Sequence, residues 1–594
     1  MRRGSCVPCG LFLLLTVFAL PNAFPQEGAP PPPAPPAFAF SEWERAEQDD
    51  RTALYKTEYR IERADLGAQA MLQRAEAALK AGSHTDAIAL GEAAARFSPD
   101  TPFPHFFLAH AHWATLAPMD AIAHYYQGIR AAFRDFWFFL SGIGISLLVL
   151  WLAFILSVLT VLIYAVVVWG RLWAHQIVEA SKGRLHAIAA GFLVVLICAL
   201  PLMLRLPPLW FFIFSLLLFW GFYRRAERQI VVLFLIVVAL ASFGLPYVTS
   251  FFSAKQSPLL RAMAQNAQNE TFLIPPIRNG DVDWRSDVLS AAYEMRSGQH
   301  AIALSLYEKA FSQQPESALI LSNMGNTYYH MQEYAKAVEQ YQQALAGADD
   351  QTAILYNMGQ TYREMLLFAE GETKYQEAVD LNAAATERYA KAAVTYPTHP
   401  LVEARFTRAD VWREVLSNVE IKPVDRDIWG VWAGGLSLEK TPIVMGLVLV
   451  GLMALSPFLK KRQTATFCAT CPACVCAHCW EQVLDYAVCK TCSAQFKSLT
   501  RTDDLRILEG GKKVAKKDYV FLLLPGLAQR VKGKPWTAFL FFMSFYAIVS
   551  YLWIGDALFS ATQWHLRGGG VLMGLCLLLV YGASILQMMR TRRR

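Results

Sequence analysis

Seven cysteines lie between positions 468 and 492 and give this chain its most specific chemistry. Six of them form three C-x-x-C pairs, and in such a pair one tight turn directs two thiolates to a single metal ion at about 2.3 Å. The first and third pairs are separated by 17 residues, which is a spacing typical of four-cysteine zinc sites. We predict that these outer pairs, Cys468 with Cys471 and Cys489 with Cys492, hold one zinc ion.

The middle pair, Cys476 and Cys479, has two interpretations on sequence alone. It holds a second metal together with Cys474 or His478, or it replaces one of the outer pairs. The module as a whole, residues 460–500, resembles a zinc ribbon or a treble-clef finger. The resemblance implies a structural zinc, because four thiolates complete the coordination shell and leave no open position for a substrate. An iron–sulfur or redox role and unmetallated thiols are the alternatives.

The residues around the module indicate which compartment it occupies. Lys460, Lys461 and Arg462 precede it, and basic residues beside apolar runs are concentrated on the cytoplasmic side of a membrane. The cytoplasm is reducing, so cysteines there bind metal rather than form disulfides. A segment this short lacks a core of its own, and zinc would supply folding free energy on the order of 10 kcal/mol.

The composition indicates a chain with much of its length in lipid. Hydrophobic residues make up 55% and charged residues 17% of the sequence, whereas soluble domains carry about 25% charged residues. Seven apolar runs are candidates for the roughly 20-residue helices that cross a bilayer. These runs are 136–170, 187–204, 209–223, 230–250, 442–459, 536–554 and 571–588.

The first run is 35 residues long, and it is either one crossing or a tight hairpin. With one crossing, the basic loops 171–186, 224–229 and 460–535 and the tail 590–594 all become cytoplasmic, which agrees with the positive-inside rule. We therefore predict seven spans in the cytoplasmic (inner) membrane of a bacterium. Residues 519–528 are too short to span and are either a re-entrant or interfacial segment or a loop.

This topology divides the chain into ten segments. They are a signal peptide (1–23), a proline-rich linker (24–40), a first extracytoplasmic repeat domain (41–135), a four-span domain (136–250), a linker (251–283), a second extracytoplasmic repeat domain (284–420), a span (441–459), the cytoplasmic cysteine module (460–500), a basic linker (501–534) and a two-span hairpin (535–590).

A 34-residue period runs through the second extracytoplasmic domain. Tyr307, Tyr341 and Tyr375 are spaced by 34 residues, and so are Gly325 and Gly359. Small residues at fixed positions let two helices approach closely, and the aromatic residues fill the space beside them. The pattern resembles the tetratricopeptide repeat (TPR). Its units are 284–317, 318–351 and 352–385, with two fainter units at 68–101 and 102–135 and a helical cap to about residue 420.

The resemblance implies helix pairs that stack into concave surfaces for protein or peptide partners. The predicted fold class is therefore all-α. It is a multi-span helical membrane bundle with two TPR-like helical-repeat domains and a small zinc-ribbon or treble-clef-like module.

We expect neither an enzyme nor a nucleic-acid-binding protein. The apolar runs contain almost no Asp, Glu, Lys or His, although membrane enzymes keep ionisable residues there for function. The sequence has no phosphate-binding glycine motif and no H-E-x-x-H motif. The net charge of +7 is concentrated beside the apolar runs, where it sets membrane orientation.

The predicted function is a membrane-anchored scaffold or adaptor. Its extracytoplasmic repeats bind protein or peptide partners, its spans contact membrane lipids, and its zinc-stabilised module docks a cytoplasmic partner. Two other functions are compatible with the sequence. One is a component of an envelope assembly for secretion, pilus formation or polysaccharide export, and the other is a transmembrane sensor of metal or redox state.

Overall fold

The computed structural model describes residues 63–182, 184–269, 283–395, 400–461, 465–468, 473–476, 479–483, 486–496, 524–531, 533–559 and 567–590. The predicted signal peptide (1–23) and proline-rich linker (24–40) lie outside the described residues.

The first repeat region consists of two helix pairs joined by short turns. In the first turn Gly82 has a φ of +85°, a conformation that glycine adopts without steric cost. Alanines fill the contacts between the helices, and Ala87, Ala94 and Ala121 have no exposed surface. The helices are α1 (Asp65–Lys80), α2 (His84–Phe97), α3 (Pro102–Ala114) and α4 (Pro118–Arg134).

A helix of 45 residues, α5 (Phe136–Ala180), follows directly. At 1.5 Å per residue its length is about 67 Å, and its continuity rules out a hairpin within the first apolar run. Four further helices continue the chain: α6 (Ala187–Met203), α7 (Pro208–Leu218), α8 (Arg225–Ala254) and α9 (Pro258–Ala267).

The second repeat region contains three helix pairs whose bounds follow the predicted units. Tyr307 and Tyr341 are buried between the helices. Gly325 lies against Tyr341 so closely that an added Cβ would be 2.5 Å from the ring, so only glycine fits there. The helices are α10 (Trp284–Arg296), α11 (His300–Gln313), α12 (Ala318–His330), α13 (Tyr334–Gly347), α14 (Thr352–Glu364) and α15 (Phe368–Thr395), which is kinked at Asn382.

In the second half of the chain, the described residues form three helices before the cysteine module and three after it. They are α16 (Arg408–Ser417), α17 (Pro423–Ala433) and α18 (Thr441–Lys461), then α20 (Leu527–Val531), α21 (Pro535–Phe559) and α22 (Arg567–Arg590). The module between them contains two antiparallel hairpins and a short helix. These are β1 (Ala465–Phe467) with β2 (Cys474–Cys476), β3 (Trp480–Val483) with β4 (Tyr486–Cys489), and α19 (Lys490–Phe496).

Four helices within the described residues are long and apolar enough to cross a membrane, judged by length and composition. They are Phe136–Ala180, Arg225–Ala254, Thr441–Phe458 and Pro535–Trp553. Three shorter apolar helices, Ala187–Met203, Pro208–Leu218 and Cys576–Gln587, correspond to the other predicted spans.

Three sequence predictions need correction. The run 209–223 is not one helix, because α7 ends at Leu218 and the chain turns at Phe219 and Trp220, whose side chains are buried. Its 11 helical residues cover only about 16 Å of a hydrocarbon core about 30 Å thick. The predicted linker 251–283 includes α9, which packs Leu260 and Met263 into a buried cluster. The cap predicted as helical forms no helix from residue 400 to residue 407.

The described part of segment 519–528 is neither an isolated interfacial helix nor an open loop. A turn at Pro525 and Gly526 leads into α20, where Gln529 is buried and donates a 2.9 Å hydrogen bond to the carbonyl of Ser584 in α22. Residues 524–531 are therefore packed into the helical bundle.

The two ends of α5 contact different parts of the molecule. At its start, the ring of Phe136 lies 5.5 Å from that of Trp412 in α16, beside the second repeat region. Towards its end, Trp169 lies 6.1 Å from Phe467 in β1 of the cysteine module. Phe136 and Trp169 are 33 positions apart, which corresponds to about 50 Å of helix, so α5 separates the repeats from the module.

Candidate peptide groove and metal centre

Two asparagines occupy equivalent positions in successive repeats of the second region. Asn323 in α12 and Asn357 in α14 are 34 residues apart, and both side chains are buried. A buried amide needs hydrogen-bond partners for both its oxygen and its nitrogen. Asn326 of α12 is one partner, since it accepts from Asn357 Nδ2 at 3.0 Å. Other partners come from a segment of the same chain outside the repeats, residues 401–406, which lies against both asparagines.

Each asparagine holds the backbone of one residue of this segment through two hydrogen bonds. Asn357 Nδ2 donates to the carbonyl of Val402 at 2.8 Å, and the Val402 N–H donates back to Asn357 Oδ1 at 2.8 Å. Asn323 forms the same pair with Ala404, at 2.8 and 3.0 Å. The clamped residues are two apart, which is the period of an extended strand. The asparagines therefore recognise an extended backbone whatever its side chains.

Two further asparagines extend this recognition. Asn326 Nδ2 donates to the Val402 carbonyl at 3.0 Å, and its Oδ1 accepts a 2.7 Å hydrogen bond from the Tyr341 hydroxyl. Burial raises the pKa of Tyr341 well above its ordinary value, so this hydroxyl stays protonated as a donor. At the other end of the segment, the N–H of Phe406 donates to Asn266 Oδ1 at 2.9 Å.

Side chains of the segment add contacts that depend on sequence. Leu401 and Val402 pack against buried apolar clusters of the repeats. Glu403 forms a 2.8 Å ion pair with Arg296 of α10. Phe406 is buried, with its ring 5.9 Å from that of Trp284. The groove thus combines backbone clamps with basic, aromatic and apolar contacts.

These groove residues were not identified from the sequence, although a signal was present. The tripeptide Asn-Met-Gly occurs at 323–325 and again at 357–359, so the asparagines share the repeat period of the glycines. The repeated glycines are explained by close packing of the helices, whereas a repeated buried asparagine needs a polar partner.

The cysteine module brings three of the four preferred zinc ligands together. The Sγ atoms of Cys468, Cys489 and Cys492 all lie within 4.8 Å of one another. The N–H of Cys489 donates to Cys468 Sγ at 3.2 Å, a contact that favours the thiolate form. The fourth predicted ligand, Cys471, lies outside the described residues. Three thiols at this spacing fit one side of a tetrahedral zinc shell.

The middle pair forms a separate cluster. Cys476 and Cys479 have their Sγ atoms 3.4 Å apart, and the structure groups them with residues other than the three outer cysteines. The hairpin pairing accounts for this division. β4 ends at Cys489 and carries it towards Cys468, whereas β2 carries Cys476 towards α5.

Comparison with known proteins identifies the family of part of the second repeat region. Residues 294–365 match the family model described as Tetratricopeptide repeat. This confirms the TPR prediction for α11 to α14. The TPR fold typically serves protein–protein interaction rather than catalysis.

Whole-chain comparisons are less informative. No curated protein sequence matches this chain. Among solved structures, the crystal structure of the P58(IPK) TPR domain is similar at 12% identity, covering 86% of this chain and 98% of that chain with a TM-score of 0.16. A score this low supports no conclusion about a shared overall arrangement.

Proposed function

We propose that this protein is a membrane-anchored interaction scaffold whose second repeat region binds an extended segment of a partner protein. The observation that carries the proposal is the pair of clamps that Asn323 and Asn357 form on the backbone of residues 402 and 404. Such clamps accept any extended chain, so the groove is built for peptide rather than for a small molecule.

The segment in the groove also indicates what a partner peptide would contain. An acidic residue would pair with Arg296, as Glu403 does. An aromatic residue three positions later would occupy the place of Phe406 beside Trp284. The resident segment is tethered, and a tethered ligand has an effective concentration of about a millimolar. A partner must therefore bind more tightly than residues 401–406 in order to replace them.

Membrane anchoring is supported by the surfaces of the apolar helices. Large apolar side chains of α6 and α18 point away from the protein, with 77% of Ile188, 69% of Phe192 and 67% of Leu447 exposed. Exposed apolar surface on this scale is unfavourable in water and favourable in lipid. In this proposal the repeats are extracytoplasmic and the cysteine module is cytoplasmic, as the basic loops predict.

The cysteine module then provides a second interaction site at the far end of α5. A zinc ion held by Cys468, Cys489 and Cys492, with Cys471 as the predicted fourth ligand, would stabilise its two small hairpins. A closed shell of thiolates supplies structure rather than catalysis. We assign the module a docking role for a cytoplasmic protein.

A peptide-binding measurement tests the groove directly. In the full chain in detergent, Val402 and Ala404 are both replaced by proline, which removes the N–H groups that donate to Asn357 and Asn323 and leaves the buried Phe406 in place. A fluorescent peptide with the sequence of residues 400–405 should then bind the variant. The wild-type chain should bind it only at concentrations above about a millimolar.

Two further variants complete this test. Adding N323A and N357A to the proline variant should abolish peptide binding, whereas adding N418A, at an exposed asparagine outside the groove, should not. If the proline variant keeps its helical circular dichroism and yet fails to bind the peptide, residues 401–406 are a fixed part of the fold and the proposed groove is wrong.

A further inference from the structure

The middle cysteine pair faces two metal-binding side chains of α5. His175 and Glu179 lie one turn apart on this helix, so both project from the same face. Their ligand atoms and the Sγ atoms of Cys476 and Cys479 all lie within 4.8 Å of one another. His175 precedes Cys476 by 301 residues, and only the folded chain brings them together.

The distances fit a tetrahedral zinc site. With Zn–S bonds of about 2.3 Å and Zn–N bonds of about 2.0 Å, two sulfurs are separated by about 3.8 Å and a sulfur and a nitrogen by about 3.5 Å. The two Sγ atoms are 3.4 Å apart, and His175 Nε2 lies 3.3 Å from Cys479 Sγ. Small outward shifts of these side chains would admit the ion.

The surroundings of the pair are those of a metal-binding turn. The N–H of Cys476 donates to Cys479 Sγ at 3.0 Å, which stabilises negative charge on that sulfur. Leu172 of α5, Ala465 of β1 and Cys476 form one buried cluster. The module is therefore held against α5 by apolar packing as well as by these polar groups. This packing keeps the four ligand residues close together.

An open cavity gives access to this region. Its volume is about 440 Å³, and its lining includes His175 and Cys474 beside residues of α5 and α6. A metal site needs such an entry path.

We propose that His175, Glu179, Cys476 and Cys479 form a second zinc site that joins α5 to the cysteine module. Two thiolates and an imidazole favour zinc over magnesium or calcium, which prefer oxygen ligands. The proposal rests on the zinc-binding role proposed above for the module and adds the ligands from α5. Zinc at this site would make the module and the end of the long helix one rigid unit.

Zinc content of the purified full chain in detergent tests this site. The wild-type protein should contain two zinc ions per chain, and H175A should contain one. H175C should restore the second ion, because a thiolate replaces the imidazole. H186A changes another histidine near the same end of the bundle and should retain two. Circular dichroism of each variant checks that its helices are intact.

Other variants separate this site from the outer one. C468S should lose the outer zinc and keep the zinc that depends on His175. If H175A keeps two ions while H478A falls to one, the ligand is His478 and the proposed joint is wrong. A wild-type chain with one zinc, sensitive to C468S alone, would also overturn the second site but preserve the outer one. A wild-type chain without zinc would overturn both.

Discussion

The side chain of Asn357 and the backbone of Val402 form a closed pair of hydrogen bonds, each 2.8 Å long. The Asn357 nitrogen also donates to Asn326 Oδ1 at 3.0 Å, whereas its oxygen accepts from the Val402 N–H, so this buried amide is fully paired when a chain lies in the groove. The second repeat region therefore contains its own occupant. Peptide binding by this protein is a competition between that occupant and a partner.

Replacing Asn357 by alanine should release residues 401–406 locally. The change leaves the Val402 N–H without its partner, at a cost of about 1–3 kcal/mol, whereas the Val402 carbonyl keeps its hydrogen bond from Asn326. Trypsin cleavage after Arg405, followed by mass spectrometry, should become at least about tenfold faster because local opening becomes more frequent. N418A is the control and should cleave like the wild type. Equal protection in N357A would show that the clamp contributes nothing.

Substituting Gly325 by alanine should destabilise the second repeat region by about 1–3 kcal/mol. The new Cβ would lie 2.5 Å from the Tyr341 ring, and moving that ring also disturbs its hydrogen bond to Asn326. G430A provides the control, because no atom lies within 4 Å of a Cβ added there. Thermal unfolding of the two variants should differ, and matching transition temperatures would contradict the close packing.

Lowering the pH should decrease the stability of both repeat regions. Burial lowers the pKa of His300, and burial together with the nearby His112 and His105 lowers the pKa of His124 from its ordinary value of 6.5. The unfolded chain then binds more protons than the folded one, so the stability is complete above pH 6.5 and is lost as the pH falls through the lowered folded value.

Denaturation between about pH 8 and pH 5 measures this effect. The free energy of unfolding should decrease with acid in the wild type and decrease less in the double variant H124Q/H300Q. A wild-type stability that is unchanged or higher at the acid end would contradict the direction of these pKa shifts.

Breaking the buried ion pair between Glu227 and Arg530 should be costly. Their side chains are only 1% and 6% exposed, and the guanidinium also lies 4.3 Å from the centre of the Tyr164 ring. E227Q leaves the buried Arg530 charge uncompensated, at a cost of about 3–5 kcal/mol.

Thermal unfolding in detergent measures that cost. The double variant E227Q/R530M should recover much of the lost stability, because no charge then remains buried. E372Q breaks an exposed pair with Arg363 and should cost less than about 1 kcal/mol. Similar transition temperatures for E227Q and E372Q would refute the role assigned to the buried pair.

The sequence was informative where an interaction repeats at a fixed spacing. Tyr307 and Tyr341 predicted the helix pairs of the second repeat region, because the positions that fill a repeat core recur every 34 residues. The cysteine spacing predicted which thiols meet, since Cys468, Cys489 and Cys492 are brought together as the motif requires. Whether they bind zinc stays a prediction.

Contacts between segments that are far apart in the sequence leave no fixed residue spacing by which they could be predicted. Nothing beside His175 in the sequence indicates that it faces Cys479, because their proximity depends on where α5 ends and how β2 packs on it. Residues 402, 404 and 406 are held by asparagines that lie 45, 81 and 140 residues away in the sequence. Hydropathy alone also overestimated the length of α7, because the apolar Phe219 and Trp220 are buried in a turn and not in a longer helix.

The most direct test of the account asks whether the repeats and the cysteine module lie on opposite sides of a membrane. Gln343 is exposed on α13, and Q343C gives the repeats a reactive thiol. In intact cells a membrane-impermeant maleimide should label Q343C but not the wild type, whose module cysteines should react only after permeabilisation and metal chelation. Equal labelling of the wild-type module in intact and permeabilised cells would contradict a scaffold that displays its groove and its metal module in different compartments.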